Sequence, residues 1–179
     1  MGRVVVYIAV SLDGFIARRD DDISWLDPYS GEGEDYGFGD LLKRTGTAVM
    51  GSRTYEQSLL HPERLLRGVK NYVLTRRSLQ PAPEFDAVFW QGSLPALVEK
   101  IRQESEKDSW VVGGGQVISQ FLNEGLVDEI CLFIVPVLLH EGIPLCTGIR
   151  KEIRLKLTGT NPYPSGIVRL RYIPLQSMD

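Results

Sequence analysis

The stretch Trp110-Val111-Val112-Gly113-Gly114-Gly115-Gln116-Val117-Ile118-Ser119-Gln120-Phe121-Leu122 runs an apolar strand into three glycines and straight out into an amphipathic helix. A strand that turns so tightly into a helix is one βα unit, and its turn suits an anion. Glycines remove the Cβ atoms that would hold a ligand off the backbone. The first N–H groups of the helix have no internal partner and point at whatever arrives. A ligand-free turn is the alternative for one glycine cluster taken alone.

Period and punctuation extend the βα reading along the chain. Strands are predicted at Val4–Val10, Ala48–Met50, Asn71–Leu74 and Ala87–Trp90, with helices near Tyr36–Arg44, Arg53–Leu59 and Leu94–Glu106. A long polar loop rich in Asp and Gly separates the first strand from the first helix. Alternation of this kind argues for an α/β domain with a mostly parallel sheet. After Asp128 the rhythm changes. Glu129–Leu139 reads as a long apolar strand, and Ile153–Thr160 and Ile167–Leu175 flank the turn-rich Asn161-Pro162-Tyr163-Pro164-Ser165-Gly166, an antiparallel hairpin.

At 179 residues the chain is long enough for one well-buried domain and short for two, so residues 1–179 are read as a single unit. A net charge of −3 leaves no basic footprint, which argues against nucleic acid and anionic membranes as partners. The seven-residue run Val4–Val10 is too short to span a bilayer and has no cleavage site after it. Cys131 and Cys146 form no C-x-x-C pair, which suits a reduced cytoplasmic setting. His61 and His140 lie far apart and no clustered ligand set exists, so no metal is expected.

Two further junctions stand out. At Val49-Met50-Gly51-Ser52-Arg53-Thr54-Tyr55-Glu56, Gly51 permits close approach, Ser52 or Thr54 can cap or donate, and Arg53 adds charge at a helix start; a purely structural cap is the alternative. At Val73-Leu74-Thr75-Arg76-Arg77-Ser78 a strand ends in paired arginines, which suit a phosphate or can simply be solvated. The triplet is not a G-x-G-x-x-G fingerprint, because Ile118 stands where the third glycine belongs.

Taken in order, these junctions resemble the dihydrofolate reductase-like superfamily, and most closely the single-domain group similar to the reductase half of the riboflavin-biosynthesis deaminase-reductase. The residues that carry the resemblance are Ile8 through Ala17, Gly51 through Glu56, Leu74 through Arg77, Val112 through Gly115, Phe121-Leu122, Gly125 through Glu129, and Pro136 through Leu145. The resemblance implies a three-layer α/β/α fold with a central mostly parallel sheet and a C-terminal antiparallel hairpin. It implies NADPH along the sheet's carboxyl edge, with the nicotinamide near Ala9, Val10 and Ile16. The diphosphate would rest on Gly51, Ser52, Arg53 and Thr54 and on Gly113, Gly114, Gly115, Gln116 and Val117. The 2′-phosphate would lie near Arg53 and Arg76, with Thr75 and Arg77 beside it. A cis peptide at Gly113-Gly114 and a homodimer are also implied. Ser52 stands where the family has arginine, which leaves the choice between NADPH and NADH open.

A nicotinamide reductase delivers hydride to an electron-poor carbon and a proton to its neighbour, and a carboxylate facing a pteridine-like ring can place that proton. Asp35 lies sixteen residues before Gly51, the ungapped offset of the substrate carboxylate in dihydrofolate reductases, and is placed first. Glu34 is its rival, since one residue of helix register turns a side chain by about 100°. Glu32, Glu34 and Asp35 can instead form an acidic helix start. Asp13 is read as shaping the turn before Gly14. Trp25 and Tyr36 either line the substrate cavity or belong to the core; a tryptophan beside the lid in dihydrofolate reductases tilts Trp25 toward the site. The expected function is NADPH-dependent reduction of a small heterocycle, a pterin or flavin-precursor pyrimidine among the options. A non-catalytic nucleotide-binding sensor or assembly module is the alternative, and a structural protein dimerising through Leu132–Leu139 a third.

Overall fold

The computed structural model describes residues 1–30, 33–61, 68–83 and 85–175. In chain order the elements are β1 (Val4–Ser11), β2 (Phe15–Ala17), a 3₁₀ segment (Ser24–Tyr29), α1 (Phe38–Arg44), β3 (Thr45–Gly51), α2 (Ser52–Leu60) and β4 (Lys70–Leu74). They continue with β5 (Ala87–Trp90), α3 (Leu94–Glu104), β6 (Asp108–Gly113), α4 (Gly115–Asn123), β7 (Glu129–Val135), β8 (Ile143–Pro144), β9 (Leu155–Pro162) and β10 (Val168–Pro174).

Eight strands form one sheet in the order β5-β4-β3-β6-β1-β7-β10-β9, and β2 pairs with β8 in a separate two-stranded ribbon. The strands from β5 to β7 are parallel, while β10 runs antiparallel to both β7 and β9. β1 reads as an unbroken apolar run because it lies inside the sheet with both faces covered; Val4, Val5, Val6 and Val10 are at most 2% exposed. On one face α3 and α4 set Leu97, Val98, Ile101, Val117, Ile118 and Phe121 against Val4, Val6, Val49 and Val111. On the other, Tyr55 of α2 packs with Ala48, Met50, Val73 and Phe85, and the 3₁₀ segment sets Trp25 on Cys131, Phe133 and Val135. This is the three-layer α/β/α architecture that the sequence implies, hairpin included.

Several boundaries differ from the sequence reading, and some of the shifts have a backbone cause. The first helix starts at Phe38 rather than Tyr36, because Tyr36 and Gly37 take left-handed φ values of 55° and 85° and turn the chain before it winds. The seventh strand stops at Val135, where Pro136 ends the ladder and the amide of Val137 turns back to the carbonyl of Val135 at 2.7 Å. The Asp-rich loop holds β2 and the 3₁₀ segment. The hairpin turn closes at Tyr163–Gly166, with Gly166 at φ 85° and its amide donating to the Tyr163 carbonyl; it starts two residues later than expected because Asn161 and Pro162 pair with Arg169 and Val168. The Gly113–Gly114 peptide is cis. Glu32 lies outside the described residues.

Candidate active site

In a parallel sheet the strand-to-helix turns gather at the carboxyl edge, and here they open on a cleft of about 1990 Å³. Four turns contribute: Gly51–Thr54 after β3, Thr75–Arg77 after β4, Gln91–Pro95 after β5 and Gly113–Val117 after β6. Ala9 and Ile16 line the far end beside Ile8, Ala17 and Trp110.

The two glycine-opened helices share a feature that α3 lacks. Gly51 and Gly114 are the N-caps of α2 and α4, and neither helix has a side-chain cap, so their first-turn N–H groups face the cleft without one. Ser93 caps α3 by accepting from the Ala96 amide. The two open turns face each other: a Cβ added to Gly114 would sit 3.9 Å from Thr54 Oγ1. Gly115 serves packing, since a Cβ there would come within 2.3 Å of the Pro144 carbonyl oxygen. Thr147 donates its amide to Ser119 Oγ at 2.8 Å, tying the following loop to α4.

Arginines divide by partner. The Thr75 hydroxyl accepts from the Arg77 amide at 2.9 Å and turns the chain after β4. Arg77 pairs with Glu56 at 2.7 Å, and Arg53 pairs with Asp21 at 2.6 Å. Arg150 pairs with Glu124 at 3.5 Å. Arg76 is exposed and has no ion-pair partner among the described residues, so of the cleft's arginines it is the one free to receive an anion.

Three sequence-predicted site residues are not brought to the cleft. Val10 is 2% exposed inside the sheet. Trp25 is buried against β7, so the core reading holds for it. Asp35 precedes α1, and its carboxylate accepts from the amides of Gly37 at 2.8 Å and Gly39 at 3.0 Å, which hold it below the usual carboxylate range. It is absent from the cleft lining, so the helix-start reading describes it. The left-handed turn at Tyr36–Gly37 leaves it before the helix, so the sixteen-residue offset from Gly51 does not bring it into the cleft lining. Glu34 accepts from the Tyr36 amide at 3.0 Å. Asp13 accepts from Ser11 Oγ and from the amides of Leu139 and His140, with the Ser11 hydroxyl the main cause of its lowered pKa, so it anchors two loops.

Among the described residues, sequence reasoning missed five carboxylates that line the cleft: Asp20, Asp21, Asp22, Glu124 and, on the 3₁₀ segment, Asp27. Asp27 lines it from that segment, which Trp25 and Leu26 hold over β1 and β7. The Pro28 that follows it was the available signal, a turn marker in Ser24-Trp25-Leu26-Asp27-Pro28. Phe38 and Leu42 of α1 complete an apolar recess beside it, with the Phe38 and Trp110 rings 5.7 Å apart.

A mostly parallel α/β sheet with an antiparallel hairpin, a cis glycine pair and a cleft at its carboxyl edge is the architecture of a dihydrofolate reductase-like domain. The chain belongs to the RibD C-terminal domain family, whose model matches residues 3–169. Among curated proteins it is 34% identical to YwjB of Bacillus subtilis (strain 168), an uncharacterised protein, over 96% of this chain and 97% of that one. It is 33% identical to the uncharacterised YyaP of the same strain, over 95% and 94%. Among solved structures, a Shewanella sp. PV-4 protein named for riboflavin biosynthesis superposes with a TM-score of 0.87 at 24% identity, covering 97% of this chain and 99% of that one. Acinetobacter baumannii RibD superposes with a TM-score of 0.72 at 20% identity, covering 98% of this chain and 58% of that one.

Proposed function

We propose that this protein is an NADPH-dependent reductase of a small heterocyclic substrate. The observation that carries the reading is the pair of uncapped helix N-termini, α2 and α4, facing each other across a glycine-walled cleft, with Arg76, which has no ion-pair partner among the described residues, at its β4 end. Two N-termini separated by a glycine-width gap suit the two phosphates of a dinucleotide. Arg76 suits a 2′-phosphate, with forked geometry and an uncompensated charge.

When bound, NADPH would supply the hydride. The chain's own contribution is alignment and proton placement. Ala9 and Ile16 give the β1 end of the cleft an apolar lining, which Leu42, Trp110 and the exposed Phe38 extend. Asp27 supplies a carboxylate there to bind an amidine-like N–C–N edge and steady the proton that reaches the ring. Turnover tests this: purified protein with NADPH and a panel of dihydropterins, pyrimidines and flavin precursors should oxidise NADPH faster than a cofactor-only control with at least one compound. No rate above the control with any of them counts against the reductase reading and in favour of a non-catalytic binding protein.

The reading includes a reduced cytoplasmic setting, which fits two free cysteines, Cys131 buried and Cys146 exposed. No helix among the described residues is long and apolar enough to cross a membrane. It also includes a homodimer. The apolar strand β7 cannot supply the seam through its edges, because β1 and β10 pair with both of them. The edge hairpin leaves Leu155, Leu157, Ile173 and Leu175 exposed, and these are assigned to the dimer. Sedimentation should report a dimer that Leu157→Asp converts to monomer; a monomeric parent would remove the dimer from the account.

A further inference from the structure

The carboxylates at the β1 end of the cleft bear on which heterocycle can enter. Asp20, Asp21 and Asp22 line it from the loop after β2, and Asp27 from the 3₁₀ segment. The loop holds a fixed shape. The Arg18 amide donates to the Asp22 carbonyl at 2.9 Å, and the Asp21 amide to the Arg18 carbonyl at 3.1 Å. Asp22 itself is engaged by the Ser24 amide and hydroxyl and by the Arg18 guanidinium.

No cation is left over at this end among the described residues. The arginine that reaches it is Arg53, from the first turn of α2, and Asp21 holds its guanidinium at 2.6 Å. Arg18 is committed to Asp22 and Arg19 to Glu141, and neither lines the cleft. Arg76 follows β4, three sheet positions from β1, which at a spacing of about 4.8 Å per strand is roughly 14 Å away. Among the described residues, a phosphate carried by the substrate would therefore meet Asp20 and Asp27 beside the ion-paired Asp21 and Asp22, and no unpaired arginine or lysine. Its approach is repelled, and its desolvation is not compensated.

Accepting that the β1 end is the substrate end of a reductase, we propose that it selects an uncharged or cationic aromatic heterocycle and excludes a phosphorylated one. Asp21 is the specificity-determining residue, through its hold on Arg53. The apolar recess of Ile8, Ile16, Phe38, Leu42 and Trp110 receives the ring, and the acidic rim rejects an anionic substituent.

Paired probes that differ only in the phosphate test this by equilibrium binding, followed calorimetrically on protein saturated with NADP⁺, where no turnover occurs. One pair is 5-amino-6-(ribosylamino)uracil and its 5′-phosphate; the other is dihydroneopterin and its monophosphate. The unphosphorylated member of each pair should bind at least about tenfold more tightly, roughly 1.4 kcal/mol. Asp21→Asn keeps a residue type that tolerates the φ of 66° found at this position and releases Arg53. It should narrow the ratio to about threefold or less by strengthening the phosphorylated member, and adding Arg53→Ala should restore the original ratio. Equal or tighter binding of the phosphorylated compounds by the parent protein overturns the inference. So does failure of all four to bind protein that has taken up NADP⁺. Failure to take up NADP⁺ counts instead against the cofactor reading, and the same titrations without cofactor then decide the phosphate question alone.

Discussion

Adding one methyl group at each of two adjacent glycines separates ligand binding from packing at the β6–α4 junction. Gly114 has φ −72° and ψ −167°, extended backbone open to alanine, and the nearest neighbour to an added Cβ is Thr54 Oγ1 at 3.9 Å. Gly114→Ala should therefore change stability by less than about 1 kcal/mol. A phosphate oxygen seated between the two turns needs about 2.8 Å to a donor on each side, a gap of roughly 5.5 Å. The methyl carbon would fill that gap. Losing one charge-assisted hydrogen bond costs about 1.5–3 kcal/mol, so NADPH should bind about 10- to 150-fold more weakly. At Gly115 the methyl meets the backbone oxygens of Pro144 at 2.3 Å and Leu145 at 3.0 Å, which cannot swing aside. Because backbone must move, overpacking costs about 2–3 kcal/mol, and an offset of about 1 kcal/mol from helix propensity leaves a net loss of about 1–2 kcal/mol. That corresponds to a Tm lower by about 2–8 °C. Fluorescence titration and thermal unfolding of both variants make the comparison. An NADPH affinity unchanged in Gly114→Ala would refute the idea that these facing helix starts hold the diphosphate.

Two carboxylates and one salt-bridge cluster give the remaining expectations. Asp27→Asn should lose turnover while keeping NADPH affinity, whereas Asp35→Asn should keep both, and steady-state kinetics beside a cofactor titration separate them; the reverse pattern would return the catalytic role to Asp35. Glu104 is held down to about 2 by hydrogen bonds from Lys100, Tyr72 and Lys70, with the Lys100 contact the largest cause. Between its ordinary 4.5 and about 2 the unfolded chain binds the extra proton, so this contribution is present above pH 4.5 and lost as pH falls toward 2. Urea midpoints across that range should fall less steeply in Glu104→Gln, and parallel curves for the two proteins would contradict the assignment.

The parts of the fold that could be read from the chain are those with a period or a punctuation mark. β1, β3 and β6 are apolar runs stopped by Ser or Gly, and the three predicted junctions all reach one cleft because parallel strands present their carboxyl ends together. What escaped has neither signal. β8 has two residues and the 3₁₀ segment six, both too short to show periodicity. The Asp27 carboxylate depends on Trp25 anchoring that segment to β7, a contact made across more than a hundred residues. The Arg53–Asp21 pair spans 32 residues; sequence alone could place Arg53 at a helix start, but not show that its charge is already taken. The β5–α3 turn was legible in principle, with Ser93 at the cap and Pro95 just inside the helix. Its place in the cleft follows from strand order, which the chain does not spell out.

The most direct test of the central claim is a fluorescence titration of the purified protein with NADPH and, separately, NADH, reading the quenching of Trp90 and Trp110, which line the cleft. Saturable NADPH binding is expected, tighter than NADH, with Arg76→Ala weakening NADPH by about tenfold or more and leaving NADH nearly unchanged. No saturable binding of either dinucleotide would mean that the glycine junctions are turns and nothing more, and the reductase reading would fall with them.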